Sequence, residues 1–342
     1  MSQPIKTAII GLGRAGWHLH LEPMLKHGGY QITAVTDPIA ERRKEAQEKC
    51  GCEEYENIDA LLAKADCELV IVATPSAFHF SDAQKVLEAG KHCALEKPMA
   101  LNFEEASKLA ELAKSKKLLL TVNHAYLFLP EFHHLKEVVD SGVLGRIFHI
   151  RGFWPRYSRR WDWQTLKKNG GGILNNWGSH IASVALPLLD SKVASVASDI
   201  QLVKDAGDTE DHMEILLKTE SGASANLLVT SACAYPGVRW MLLGEFGTLS
   251  SDGTTSHLKY YDPADAPRPQ LDESMAAASR KYNSEELPWK EKSMPSEPST
   301  PVPTFHENLA AFLGGKAPLI SSAEAAVEVI RVLDLARVGS GF

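Results

Sequence analysis

Ile5-Lys6-Thr7-Ala8-Ile9-Ile10-Gly11-Leu12-Gly13-Arg14-Ala15-Gly16 decides the architecture of this chain. The first six residues form a near-continuous apolar run of strand length, and the turn after them fits G-x-G-x-x-G. Context lends the motif its weight. It follows a strand directly and precedes a helix-compatible segment. Asp37 closes the next apolar run, Ile32–Thr36, at close to the ~20-residue spacing of a dinucleotide-binding unit. Gly11 allows the tight turn, Gly13 leaves room for a pyrophosphate beside the backbone, and Gly16 lets helix and strand pack closely. Leu12, Arg14 and Ala15 complete the loop. Amide groups at the helix start suit a diphosphate, aided by the helix dipole. Asp37 is expected to accept from the adenosine ribose and to repel a 2′-phosphate, which favours NAD. Arg42 and Arg43 keep NADP open as the alternative. Taken alone, a glycine turn without ligand is the competing reading.

Working outward, apolar runs recur at Leu69–Ala73, His92–Glu96 and Leu118–Val122, alternating with helical patterns at 40–49, 58–64, 80–89 and 103–115. Runs apolar on both faces, separated by helices, describe a parallel sheet covered on both sides. After about residue 123 the texture changes to alternating segments at 146–154, 193–203, 212–218, 223–230, 238–244 and 257–261, joined by turns such as Glu220-Ser221-Gly222. These predict a large, mostly antiparallel open sheet. The expected fold is α/β: a doubly wound Rossmann domain over 1–122 and a second α/β domain over 123–342. Residues 262–304 read as a long surface loop. A final helix is expected over 322–337, with Ser321 or Ser322 as its N-cap and Glu324 in its first turn.

The chain has 342 residues, enough for about two domains at roughly 150 residues each. Its net charge of −7 comes without a basic block, which argues against nucleic acid or an anionic membrane as partner. No apolar run reaches the roughly 18 residues of a membrane span. The first residues lack a signal-peptide pattern, and the five cysteines form no C-x-x-C pair. The expectation is a cytoplasmic protein with reduced thiols.

Two further clusters leave strands at their carboxyl ends, where open α/β sheets hold ligands. Thr74 and Pro75 are placed to shape a loop over the nicotinamide ribose. His79 reads equally as a cofactor contact or as a helix-start histidine meeting backbone. Glu96-Lys97-Pro98 projects Lys97 toward the crevice, where partial desolvation would lower its proton affinity and suit it to a substrate hydroxyl. From spacing alone, a solvated surface lysine is the simpler reading.

Together with Gly170-Gly171-Gly172-Ile173-Leu174-Asn175-Asn176-Trp177-Gly178-Ser179-His180, these motifs resemble the glucose–fructose oxidoreductase / inositol dehydrogenase / MocA family, over nearly the whole chain. The resemblance implies an active site between the two domains and hydride transfer between NAD or NADP and a secondary alcohol of a sugar, cyclitol or related polyol. It makes Lys97 the active-site lysine and His180 the catalytic histidine. Asn176 stands where the family most often has aspartate: it can hydrogen-bond but cannot titrate. Taken without the family, Asn175-Asn176 reads as a helix N-cap pair.

Arg151, Arg156, Arg159 and Arg160 interleave with Phe153, Trp154, Tyr157, Trp161 and Trp163, a composition that suits sugar rings or an acidic sugar, or equally a packed loop. Arg156, Trp163, Asn123 and Tyr126 join Asn176 as expected substrate contacts, with His124 beside them. His133-His134 lacks a third ligand, so no metal is expected. Glu210-Asp211-His212 reads as a solvated hairpin end. In the expected reaction His180 takes the hydroxyl proton while Lys97 polarises the oxygen. The alternatives are an NAD-dependent glycosidase or lyase working through transient oxidation, and a non-catalytic nucleotide-binding sensor. The open sheet face predicts a homodimer or homotetramer.

Overall fold

The computed structural model describes residues 3–274, 280 and 282–342. Two sheets organise it. The first contains β1 (Ile5–Ile10), β2 (Tyr30–Thr36), β3 (Glu53–Tyr55), β4 (Leu69–Val72), β5 (His92–Glu96) and β6 (Leu120–Asn123), all parallel. Helices α1 (Glu22–His27), α2 (Ala40–Cys50), α3 (Ile58–Lys64), α4 (His79–Glu88) and α5 (Phe103–Lys116) cover it. Every residue of β4 and the last four of β1 are buried, as the doubly apolar runs require. Asn57 and Asn102 stop the backbone short of the helix: their side chains accept from Ala60 and Glu105 at 2.9 Å and start α3 and α5. The strand order β3-β2-β1-β4-β5-β6 reverses direction between β1 and β4. That reversal opens a crevice at the strands' carboxyl ends, beside the first glycine turn.

The second sheet runs β14-β13-β12-β11-β7-β10-β9-β8, from β7 (Ile147–Pro155), β8 (Val193–Gln201), β9 (His212–Thr219), β10 (Ser224–Thr230), β11 (Trp240–Gly244), β12 (Gly247–Ser251), β13 (Thr255–Tyr260) and β14 (Lys290–Pro295). Only β7 and β10 pair in parallel. One face buries Met213, Ile215, Leu217, Leu227, Val229 and Trp240 against α6 (Pro130–Asp140) and α7 (Ser179–Leu189). On the opposite face Leu216 is half exposed and polar pairs such as Asn226–Glu214 and His149–Ser224 lie between strands.

The long loop expected over 262–304 is corrected in part. Residues 290–295 form β14, an edge strand along β13. Five of its six residues are exposed, so it carries no alternating apolar signal, and its lysines blunt the edge against further pairing. Residues 275–279 and 281 of that segment lie outside the described residues. The hairpin end at Glu210-Asp211 is not solvated: both side chains are buried, and Asp211 accepts from the amides of Val203, Lys204 and Asp205 at 2.7, 3.0 and 2.9 Å. Backbone donors solvate that carboxylate in place of water.

Two final helices return to the first sheet. Phe305 and Leu309 of α8 (Phe305–Leu313) pack in the core under β1 and β2. Helix α9 (Ala323–Arg337), capped by Ser322, places Ala323, Ala326 and Ile330 in the first sheet's core and Val329, Val332, Leu333 and Ala336 in the second's.

Candidate active site

The first glycine turn occupies the crevice between β1 and β4. Gly11 has φ +89°, and a Cβ there would lie 2.7 Å from the Ala73 carbonyl after β4. A Cβ on Gly16 would meet the Gly11 carbonyl at 1.8 Å, so only glycine lets the π-helical segment Ala15–Leu21 start against the turn. Gly13 differs: a Cβ there would meet nothing within 4 Å. Its missing side chain serves open space, the cradle a dinucleotide's pyrophosphate needs, and the turn fits that ligand. Asp37 first supports the turn itself. Its buried carboxylate accepts from the amides of Leu12 at 2.7 Å and Ile39 at 2.9 Å, with Arg42 at 3.5 Å.

The opposite wall comes from the second half. Gly170, Gly171 and Gly172 lead into a second π-helical segment, Leu174–Gly178, and then α7. Glu210 accepts from the Leu174 amide at 2.9 Å, and burial pushes its carboxyl up. Asn175 is no N-cap. Its amide donates to the carbonyls of Gly170 and Gly171 at 3.1 and 3.0 Å while its oxygen accepts from Arg337 of α9. This ties down the turn, and Asn176 and His180 face the crevice.

There the halves meet. Lys97 Nζ donates to the side-chain oxygen of Asn176 and to its main-chain carbonyl at 3.1 Å. Burial pulls Lys97 down to about 8; Glu96 opposes this and the charges of Arg14 and Arg160 add to it. His180 is held well below the usual imidazole range, by burial first and then by Lys97 and His124. His124 is likewise lowered to about 4 by burial and Lys97. Tyr126 stacks on His180 with ring centroids 4.7 Å apart, and Trp177 lies 6.0 Å away on another side. His180 Nδ1, His124 Nε2, Asn123 Oδ1 and Arg156 Nε are buried without protein partners. The arrangement presents two cations, Lys97 and Arg156, with two neutral imidazoles and several unsatisfied polar atoms.

Several expected contacts lie elsewhere. The Glu96 side chain turns inward, where Oε1 accepts from Asn123 at 2.7 Å and pairs with His20 at 2.8 Å. Burial would raise its carboxyl, but His20, Asn123 and Lys97 prevail and hold it at about 2. His20 in turn meets His306 of α8 at 3.2 Å. The His79 ring is buried between the carbonyls of Pro98 at 2.6 Å and Thr74 at 2.8 Å, pinning one crevice loop to the other. Thr74 donates to Asp82 at 2.8 Å, and Pro75 is exposed on the crevice rim. Trp163 sits 41% exposed on the turn Trp163–Thr165, whereas Arg156 points inward over Trp177, 4.9 Å from its centroid. Gln164, whose Oε1 accepts from Asn176 at 3.3 Å, carries no signal in the sequence. Among the described residues, no three His, Cys, Asp or Glu side chains converge as metal ligands, and no helix is long and apolar enough to cross a membrane.

The profile described as an oxidoreductase family with an NAD-binding Rossmann fold matches residues 5–124, and that of the Gfo/Idh/MocA C-terminal domain matches residues 132–250. The chain belongs to the Gfo/Idh/MocA oxidoreductase family. Its first half is the NAD-binding domain of that family, matching the open space at Gly13. Among relatives, an uncharacterized oxidoreductase of Schizosaccharomyces pombe is 31% identical over 222 residues, 63% of this chain and 60% of the relative. The 1-carboxy-3-chloro-3,4-dihydroxycyclohexa-1,5-diene dehydrogenase of Comamonas testosteroni is 30% identical over 236 residues, 68% of this chain and 59% of the relative. The chain thus spans about three-fifths of the length of both. The NAD-dependent scyllo-inositol 2-dehydrogenase of Bacillus subtilis is 24% identical over 264 residues, covering 75% and 76% of the two chains. An NAD-binding protein from Listeria innocua shares the fold with a TM-score of 0.81 at 24% identity, over 99% of this chain and 95% of that one.

Proposed function

We propose that this protein is an NAD-dependent dehydrogenase that moves a hydride between nicotinamide and a secondary alcohol of a sugar, cyclitol or related polyol. The meeting of Lys97 from the first half with Asn176 from the second, beside His180, carries the reading. Bound NAD supplies the hydride acceptor, cradled by Gly11–Gly16 and bordered by Asp37, Thr74 and Pro75. Glu96 and His79 act one layer back by holding the loops on which Lys97 and Thr74 stand.

The protein's own groups divide the proton work. Lys97 is largely cationic at neutral pH and donates to the substrate oxygen, lowering the cost of removing its proton. His180, kept neutral by burial, offers a lone pair to accept that proton. Asn176 cannot titrate: its carbonyl aims the Lys97 ammonium and its amide, held by Gln164, is available to a substrate hydroxyl. The unpartnered atoms of Asn123, His124 and Arg156, with Tyr126 closing the side, form the remaining substrate surface.

A nucleotide half at 1–122 and a substrate half at 123–342 belong to the same proposal, with α8 and α9 completing the first half's core from downstream. So does a homodimer or homotetramer that covers the outer face of the second sheet, which native mass determination would read. The function itself is tested by following NADH across sugars, sugar acids, inositols and their keto forms. Formation or consumption of one NADH per product supports it. Product without net NADH would replace it with a glycosidase or lyase cycle, and NAD binding with no turnover of any compound would leave a sensor.

A further inference from the structure

We propose that the substrate carries a carboxylate, and that Arg156 is the residue that binds it; the inference rests on reading the Lys97–His180 crevice as the reaction site. Arg156 follows β7 directly and its backbone is fixed, donating to Thr230 at 3.1 Å and accepting from Cys233 at 3.1 Å. Its guanidinium lies over the face of Trp177, 4.9 Å from the centroid. Trp177 stands within the Asn176–His180 segment, and its ring centroid is 6.0 Å from that of His180. Arg156, Gln164, Asn176 and Trp177 line one cavity, so the guanidinium shares a wall with the amide that holds Lys97.

Arg156 is uncommitted where its neighbours are not. Arg160 on the same wall grips Asp162 with both ends of its fork at 2.9 and 2.8 Å, and Arg239 pairs with Glu131 at 3.1 Å. Among the described residues Arg156 makes no ion pair and its side chain no hydrogen bond, and its Nε is buried without a partner. Burial lowers its proton affinity, but a guanidinium stays charged in a protein. This half-buried cation has a free hydrogen-bonding fork, which an incoming carboxylate would satisfy through two parallel N–H···O bonds.

The surroundings select the kind of anion. Asp205, Glu210 and Asp211 line the same wall. One free fork against three nearby carboxylates suits a single planar monoanion and disfavours a phosphate dianion. At the other end Lys97, with Arg14 and Arg160 within range of its charge, adds a field that draws a negative group inward. The substrate class this describes is a sugar or cyclitol acid, with the oxidised hydroxyl at Lys97 and His180 and the acid group at Arg156.

The test titrates NAD-loaded protein calorimetrically with a panel of hexuronates and aldonates, the matching uronamides, the parent sugars and hexose 6-phosphates. The expected result is an acid bound at least tenfold more tightly than its amide and parent sugar. That preference should fall to within about threefold of unity in Arg156→Gln and be partly kept in Arg156→Lys, which preserves charge but not the fork. Circular dichroism spectra matching the parent would show that both variants fold. Equal affinity for acid and amide, an undiminished preference in Arg156→Gln, a preference for phosphate, or no binding by any acid would each overturn the inference. Acid binding through Arg156 without NADH formation would leave it standing and overturn the dehydrogenase reading instead.

Discussion

Two glycine turns feed two π-helical segments on opposite sides of one crevice, and they need glycine for different reasons. In the first, Gly11 and Gly16 let backbone approach backbone, but Gly13 borders open space. In the second, nothing is open. A Cβ on Gly170 would meet Leu101 at 2.7 Å and Ser76 at 2.9 Å, both from the other half of the molecule. One on Gly171 would meet the Gln164 carbonyl at 2.2 Å, and one on Gly172, at φ +101°, the Glu210 carboxylate at 2.2 Å. The first turn leaves open space at its middle glycine, and the second closes on protein at all three. A run of glycines therefore marks close approach, and only the space beside each one tells what approaches.

This contrast can be broken by separating NAD binding from chemistry. Lys97→Ala should lower turnover about a thousandfold while calorimetry finds NAD affinity unchanged; near-normal turnover would remove the amine from the chemistry. Gly172→Ala should cost roughly 1–3 kcal/mol in denaturant unfolding through backbone strain alone, with NAD affinity preserved in the folded fraction. Gly13→Ala inverts that pattern: its Cβ meets nothing within 4 Å, so its melting temperature should match the parent while NAD binds at least tenfold more weakly. Unimpaired NAD binding in that variant would mean the pyrophosphate lies elsewhere.

The pH profile sharpens the division of labour on the second side. If protonated Lys97 polarises the substrate oxygen, kcat/KM for alcohol oxidation is full below pH 8 and falls up to tenfold per pH unit above it. His180, neutral well below its usual range, adds no acid limb near pH 6.5. A rate that rises through pH 8 would instead make the amine the base. The smallest effect is expected at Asp37→Asn, a few-fold loss of NAD affinity with some gain for NADP, read by paired titrations.

Much of the first half was legible because its strands are buried on both faces and therefore write themselves as apolar runs. Strand β3 was not, since its three residues carry two glutamates and none is buried. Strand β14 escaped for the same reason: an exposed edge pairs through its backbone, which leaves no mark in side-chain pattern. In the candidate site, Lys97 and His180 stood out through motif resemblance, and Asn123, His124 and Tyr126 through their place after a strand. The inward turn of Glu96 could not be read, because its partners His20 and Asn123 lie 76 and 27 positions away along the chain. Acidic side chains such as Glu210 and Asp211 read as solvated, and only the assembled fold shows the backbone donors around them.

Helix α9 bears on how the molecule comes into being. Thr121 Oγ1 donates to the Ser321 carbonyl 200 positions downstream at 2.7 Å, just before this one helix fills gaps in both interiors. The nucleotide half emerges from the ribosome well before the segment that finishes it. Its core lacks Phe305, Leu309, Ala323, Ala326 and Ile330 until residues 305–337 arrive. A nascent chain arrested near residue 300 should therefore be cut by protease more readily than the full-length chain, most of all in the first half.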